Sequence, residues 1–198
     1  MDFEAFFYIE SRKFIKQSCH HYKMALNDEL QNYVRGSTAR LNERFFAGDS
    51  VDIARDLLGR YLVRKFDNGG YVVGQIREVA AFQGETDQSA EGMLNQAGII
   101  SVNNRYGNFL FDISTGRQNQ ASCVSFRAAA FYFDEVTEAN GPGNLTKSLG
   151  IDQDFNDMLV GRCNDLWIEG DAVSVGEKYR TGMTTKTENF CGSYRIRD

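Results

Sequence analysis

The chain has 198 residues, of which 42% are hydrophobic, and this length is sufficient for one well-buried core. It has no run of eighteen apolar residues, and its first eight residues carry acids instead of a basic segment, so the sequence predicts neither a membrane span nor a signal peptide. The formal net charge of -5 argues against unspecific attraction to nucleic acid but allows a local basic face. We therefore expect a soluble, intracellular protein.

The N-terminal part of the chain differs from the rest in its pattern. Apolar and aromatic side chains recur at helical spacing from Asp2 to Tyr33, with a break near Ser18 to His21, before Gly36-Ser37-Thr38 ends the pattern. This predicts a helical N-terminal extension, residues 1–40, followed by one domain, residues 41–198.

The domain begins with a short helix and a hairpin. Asp52 can cap a helix over residues 53–58 that stops at Gly59. Strands are predicted over residues 61–66 and 71–82, because Asp67-Asn68-Gly69-Gly70 between them is a tight-turn sequence.

Further strands follow along the chain. A second hairpin is predicted from residues 99–102 and 109–113, with residues 103–108 as a protruding loop. Three later strands are predicted over 123–133, 165–168 and 193–196, and a short helix over 145–149 follows the break at Gly141-Pro142-Gly143.

The four cysteines, Cys19, Cys123, Cys163 and Cys191, lie far apart and form no C-x-x-C pair. Structural zinc sites usually take their ligands as close pairs, so we expect buried free thiols and no metal site. Cys19-His20-His21 remains as a less favoured metal or redox trio.

Four segments occur in a fixed order along the chain: F-F-A-G-D-S-V-D-I-A-R-D-L-L-G-R-Y-L-V-R-K at 45–65, G-Q-I-R-E-V-A-A-F-Q-G-E-T-D at 74–87, Y-G-N-F-L-F-D-I-S at 106–114 and G-P-G-N-L-T-K-S-L-G-I at 141–151. Together they resemble the alkyladenine (3-methyladenine) DNA glycosylase family over roughly Leu41 to Arg197. The resemblance implies an α/β (α+β) single domain with a curved antiparallel sheet and surrounding helices. It also implies a monomer that excises alkylated or deaminated purines from double-stranded DNA without a metal or cofactor, in the nucleus or nucleoid.

The resemblance assigns DNA contacts to two segments. Tyr106, followed by Gly107 in the predicted hairpin loop, falls at the position of the aromatic wedge that fills the gap left by an extruded nucleotide. Residues 141–151 match an element that supports the DNA backbone, with Lys147 as a phosphate contact.

The same resemblance shows a missing catalytic group. The family motif is E-x-E-A-Y, and its second glutamate deprotonates the attacking water. Here the stretch is Glu78-Val79-Ala80-Ala81-Phe82, so Ala80 occupies the general-base position. Glu78 lies two residues away on the same strand face, and is either a substitute base or a structural carboxylate.

Several neighbouring positions also depart from the family. Phe82 replaces a stacking tyrosine, Glu91 a histidine that contacts the nucleotide, Asn103 a second stacking aromatic, and Asp112 an asparagine that helps to exclude normal guanine. Arg127 matches the arginine that positions the water, and Arg180 to Met183 resemble the segment whose backbone closes the water site.

Three interpretations follow. The protein is an active glycosylase in which Glu78, Glu91 or Asp112 has taken over proton transfer, or it binds distorted DNA through Tyr106 without cutting. In the third, it is a pseudoenzyme whose residues 1–40 dock a protein partner.

Overall fold

The computed structural model describes residues 40–84, 96–105, 107–116, 121–132, 136–170, 178–182 and 189–196. The predicted N-terminal extension, apart from Arg40, lies outside the described residues, and so do Glu91, Tyr106 and Met183.

Two short helices lead into the sheet. In α1, Glu43–Phe46, the side chain of Asn42 caps the first turn. Helix α2, Ser50–Leu57, starts earlier than predicted, because the carboxylate of Asp49 accepts hydrogen bonds from the amides of Val51 and Asp52. Asp52 is therefore not the cap but an acid in the first turn, where the helix dipole favours it.

Within the described ranges, nine strands form one sheet in which all paired strands are antiparallel. The strands are β1 Tyr61–Lys65, β2 Tyr71–Gly84, β3 Ile100–Arg105, β4 Asn108–Ser114, β5 Ala121–Tyr132, β6 Val136–Asn140, β7 Leu166–Glu169, β8 Lys178–Arg180 and β9 Phe190–Ile196. The main path runs β3-β4-β5-β2-β1-β7, with β6 on β5 and the pair β8-β9 on β2. With helix α3, Pro142–Leu149, this is a single α+β domain, as predicted.

The two longest strands each have two different neighbours along one edge. The first part of β2 pairs with β1 and its second part with β9, and β5 pairs with β4 and then with β6. The sheet therefore divides near the middle of both strands.

The first hairpin is confirmed, since β1 and β2 pair on either side of residues 66–70. The second is wrong in its loop. Asn103, Asn104 and Arg105 continue β3 and pair with Leu110, Phe109 and Asn108, so the connection is residues 106–107 and not 103–108. Polar side chains at an exposed strand end do not prevent the backbone from pairing, because the ladder uses main-chain groups.

The remaining elements differ from prediction at their ends. Helix α3 begins at Pro142, three residues before the predicted start, because proline is tolerated in the first helical turn. Strand β9 begins at Phe190 instead of 193, and strands β6 and β8 were not predicted. No helix in the described part of the chain is long and apolar enough to cross a membrane.

One face of the sheet carries the main core. Helix α2 packs on β2, and α3 packs on β4 and β5. Between them lie fully buried side chains from all of these elements, including Leu57, Ile76, Phe111, Phe126 and Leu145. The opposite face of the same strands carries the predicted site residues Glu78, Ala80, Phe82, Asn103 and Asp112.

Candidate active site

A double irregularity in the sheet directs Ala80 away from the core. Val72 and Ile76 of β2 face the core, whereas strict alternation would then place Glu78 and Ala80 there too. Instead Val79 and Ala81 are in the core. The register between β2 and β5 shifts at this point, so Glu78, Ala80 and Phe82 turn to the opposite face.

Arginines occupy both extra positions. On β2, Arg77 is the extra residue, because Ile76 pairs with Ala129 and Glu78 with Ala128. On β5, Arg127 is the extra residue, because the next pair is Val79 with Phe126. Bulges commonly redirect side chains beside active sites. Here they place Arg127 next to the strand segment that carries Ala80.

Ala80 lies in a row of directly paired residues that crosses five strands. Ser101 pairs with Asp112, Asp112 with Ser125, Ser125 with Ala80, and Ala80 with Ser193. Directly paired residues share one face of a sheet, with β-carbons about 4.5–5.5 Å apart. We call these five residues the cross-strand row.

Exposure differs along the cross-strand row, whose first residue, Ser101, is 8% exposed. Asn103, on the same face two residues beyond Ser101, is exposed, and Asp112 is half-buried. Ser125 is 4% exposed, whereas Ala80 and Ser193 are 0% exposed. The row is therefore more accessible at its β3-β4 end than at Ala80.

Glu78 is fully engaged as a structural carboxylate. Its Oε1 accepts a hydrogen bond from Ser193 Oγ at 2.8 Å, and its Oε2 accepts one from Arg195 Nη1 at 2.9 Å. Arg195 also donates to Glu138. Because both oxygens are bound and one faces a cation, this geometry favours the structural interpretation of Glu78 over that of a substitute base.

Asp112 has the opposite environment. None of its described neighbours hydrogen-bonds to Oδ1, although this atom is buried. Burial raises the pKa of Asp112 to about 6, while hydrogen bonding by Ser125 and Asn103 and the charges of Arg105 and Arg127 offset only part of this effect. A buried carboxyl group with an unused oxygen is typical of functional sites.

The segment predicted to close the water site lies at the other end of the cross-strand row. The amide of Thr181 donates to the carbonyl oxygen of Ser193 at 2.8 Å, and Arg180 pairs with Tyr194. Residues 180–182 are therefore adjacent to the β9 neighbour of Ala80.

The other predicted residues are placed as follows. Phe82 is half-buried, with its ring 5.5 Å from that of Phe190, and Asn103 donates a hydrogen bond to Ser101 Oγ at 3.0 Å. Gly107 has a φ of 75°, which suits a glycine in a tight connection. Lys147 is exposed in the last turn of α3, on the opposite side of β4 from Asp112.

Sequence reasoning missed Ser125 and Ser193, the two residues that flank Ala80. Serine in a strand has no distinctive spacing, and only the strand register shows that both serines lie beside Ala80. The sequence did contain one sign of the β2 bulge, because the spacing of the apolar residues at positions 72, 76, 79 and 81 changes there.

The chain is similar to known DNA-repair proteins over most of this domain. The family model for methylpurine-DNA glycosylase matches residues 44–197. A putative 3-methyladenine DNA glycosylase of Borreliella afzelii is 32% identical over 146 residues, which cover 65% of this chain and 77% of the relative. The human DNA-3-methyladenine glycosylase is 26% identical over a stretch that covers 68% of this chain and 56% of the human protein. A putative 3-methyladenine DNA glycosylase of Clostridioides difficile is 29% identical over a stretch that covers 61% of this chain and 75% of that relative. Because this family model covers most of the chain, from residue 44 to residue 197 of 198, the chain belongs to the methylpurine-DNA glycosylase family.

Proposed function

We propose that the protein is a DNA glycosylase-like repair protein. It binds duplex DNA, takes up one extruded alkylated or deaminated purine on the face that carries the cross-strand row, and hydrolyses the N-glycosidic bond slowly. The observation that carries this proposal is the row itself, in which Ala80 lies between two serines and close to Arg127 at the family's catalytic position.

The proposed site keeps the family's frame for catalysis but not its base. Arg127 lies on the bulge next to the β2 segment that carries Ala80, and the 180–182 segment lies against Ser193, which supports two of the three groups expected around the water. The third is a methyl group, which cannot accept a proton. General-base assistance typically contributes about 10²- to 10⁴-fold in rate, so a deficit of that order is expected.

The proposed DNA-facing side of the protein is the end of the β3-β4 hairpin. Asn103, Asn104, Arg105 and Gly107 are exposed there. A β-carbon on Gly143 would meet the side chain of Asn108 at 2.9 Å, so the start of α3 lies directly against the base of this connection. An exposed hairpin end with a cation suits contact with a DNA backbone, and Tyr106 is the proposed wedge.

A second candidate function is binding of damaged DNA without excision. Ala80 is fully buried and has a methyl group in place of a carboxylate, and both carboxylate oxygens of Glu78 already accept hydrogen bonds. Neither residue offers a free carboxylate to the attacking water, which favours binding without excision. Both candidates share the same binding step and differ in the chemical step.

The binding step is tested by titrating fluorescent duplexes with and without a single hypoxanthine or 7-methylguanine. We expect tighter binding of the lesion duplex, and binding about 5- to 100-fold weaker for Tyr106→Ser, because an aromatic stacked on a base contributes roughly 1–3 kcal/mol. Tyr106→Phe is the matched control and should bind like the wild type. Equal affinity of all three proteins for both duplexes would reject the proposal.

The chemical step is tested on the same duplexes under single-turnover conditions with the protein in excess. Slow release of the free base supports the glycosylase, whereas tight binding with no release supports the second candidate.

A further inference from the structure

Asp112 is the carboxylate on the site face whose bonding the fold leaves incomplete. It lies in the cross-strand row, one strand from Ser125 and two strands from Ala80, with Oδ1 buried and without a partner among the described residues. A buried carboxylate oxygen without a hydrogen-bond partner destabilises the folded state, because it has lost its bond to water. A ligand that supplies the missing partner is therefore bound more favourably.

The surroundings of Asp112 define what it can do. The charged and titratable groups facing it in the described part of the chain are Arg105 from β3 and Arg127 and the thiol of Cys123 from β5, while Ser125 and Asn103 hydrogen-bond to it. Burial outweighs the two cations, so the pKa of Asp112 is raised to about 6 and the proton is available close to neutral pH.

Two routes can assist cleavage of an N-glycosidic bond. One is deprotonation of the attacking water, and Ala80 has lost the group for it. The other is protonation of the leaving purine, which makes the base a better leaving group and requires an acid beside the ring instead of beside the sugar. The extruded base is proposed to lie at the β3-β4 end of the cross-strand row, beside Asp112 and the exposed Asn103.

We propose that Asp112 is a catalytic residue that acts as a general acid, its carboxyl group protonating a ring nitrogen of the bound purine. This inference rests on the proposed function. In the family the corresponding position holds an asparagine, which has no proton to give, so this role belongs to the aspartate of this chain.

The step is balanced as follows. The proton moves from the Asp112 carboxyl group to a purine ring nitrogen, the bond between C1′ and the purine nitrogen breaks, and its electron pair stays on the base. Water adds its oxygen to C1′ and releases a proton, which restores the Asp112 carboxyl group. The products are the free base and an abasic site, with no oxidant or reductant required.

Neighbouring groups fit this role less well. Glu78 already accepts two hydrogen bonds, one of them from Arg195. Burial raises the pKa of Cys123 well above its ordinary value, so that thiol is a weak acid.

The test compares lesions that do and do not need an acid. Hypoxanthine is a neutral base, whereas 7-methylguanine already carries a fixed positive charge. For Asp112→Asn, single-turnover release of hypoxanthine should fall by about 10²-fold or more relative to release of 7-methylguanine, in line with the usual contribution of general-acid catalysis.

The pH profile gives an independent readout. Release of hypoxanthine by the wild type should decrease as pH rises above the pKa of Asp112, because the acid is then ionised. This decrease is the alkaline limb of the pH profile, and Asp112→Asn should lack it. Ser125→Ala removes a hydrogen bond that lowers the pKa of Asp112, so it should move the limb to higher pH. A merely structural Asp112 would produce neither change.

The outcomes separate this inference from the proposed function. Equal losses on both lesions in Asp112→Asn, or lesion binding by the wild type without release of either base, would overturn the acid role while leaving DNA binding intact. Failure of the wild type to bind lesion duplexes would instead overturn the proposed function, and the acid role with it.

Discussion

The two faces of the central sheet, built from the same strands, hold different kinds of side chain. The core face is filled by large apolar groups, among them Phe111 and Phe126, whose rings stack 4.8 Å apart. The other face carries the cross-strand row, with hydroxyls, a carboxyl group and one methyl group. The predicted departures from the family that lie on the described strands, at Ala80, Phe82, Asn103 and Asp112, are all on the site face.

The bulges at Arg77 and Arg127 make this division possible. They change which residues of β2 and β5 face the core without breaking either strand, so the core can be kept while the other face is altered. We expect the alanine at position 80, where the family motif has a glutamate, to affect the reaction while the packing of Val79 and Ala81 in the core is kept. The comparison predicts that changes on the core face act on stability and changes on the site face act on turnover.

The largest effect on stability is expected from Phe126→Ala on the core face. Removing a fully buried aromatic side chain should lower the free energy of unfolding by about 3–5 kcal/mol. Urea denaturation followed by fluorescence measures this. Asn103→Ala, at the exposed end of the site face, is the control: it removes hydrogen bonds to Ser101 and Asp112 but no buried apolar side chain, and should lower the free energy of unfolding by only about 0.5–1.5 kcal/mol. Similar losses in both variants would remove the distinction between the faces.

A smaller effect on stability is expected from Glu78→Gln. This variant tests whether Glu78 has a structural role or acts as the substitute base. Loss of the charged hydrogen bond with Arg195 should lower the free energy of unfolding by about 1–3 kcal/mol, with little change in base release once the protein is folded. Urea denaturation and single-turnover release are measured on the same preparation. A collapse of release at unchanged stability would make Glu78 the substitute base and contradict our assignment.

The smallest effect is a pH dependence of stability from Asp112. Its pKa rises from 3.8 to about 6 on folding, so the native state holds the proton more tightly, and stability falls as pH rises from about 4 to about 6. Between pH 5 and pH 7 the wild type should lose about 1 kcal/mol relative to Asp112→Asn. Parallel urea titrations at the two pH values measure the difference, and equal slopes for both proteins would show that Asp112 is not buried as described.

The sequence was sufficient for the frame because its signals there are local. Alternating apolar residues on either side of Asp67-Asn68-Gly69-Gly70 predicted the β1-β2 hairpin, and the family segments predicted the fold. The end of the second hairpin was wrong because polar side chains at Asn103 and Asn104 resemble a loop, although their backbone groups pair.

The candidate site was predicted by position, and its geometry came from the structure. The resemblance assigns roles to Ala80 and Arg127, which stay predictions, and the serines on either side of Ala80 come from strands that are distant along the chain. Likewise, Glu78 was an open candidate until its bonds to Ser193 and Arg195 were visible. Register and hydrogen bonding are long-range properties, and a single sequence does not contain them in readable form.

The central claim is that this site is a glycosylase site without its water-activating carboxylate. The most direct test is single-turnover release of 7-methylguanine by Ala80→Glu, with Ala80→Gln as the matched control that has the same shape but is not a base. The account predicts release about 10²- to 10⁴-fold faster for Ala80→Glu than for the wild type, and no gain for Ala80→Gln. Equal rates for the glutamate and glutamine variants, in proteins that fold and bind the lesion duplex, would contradict it.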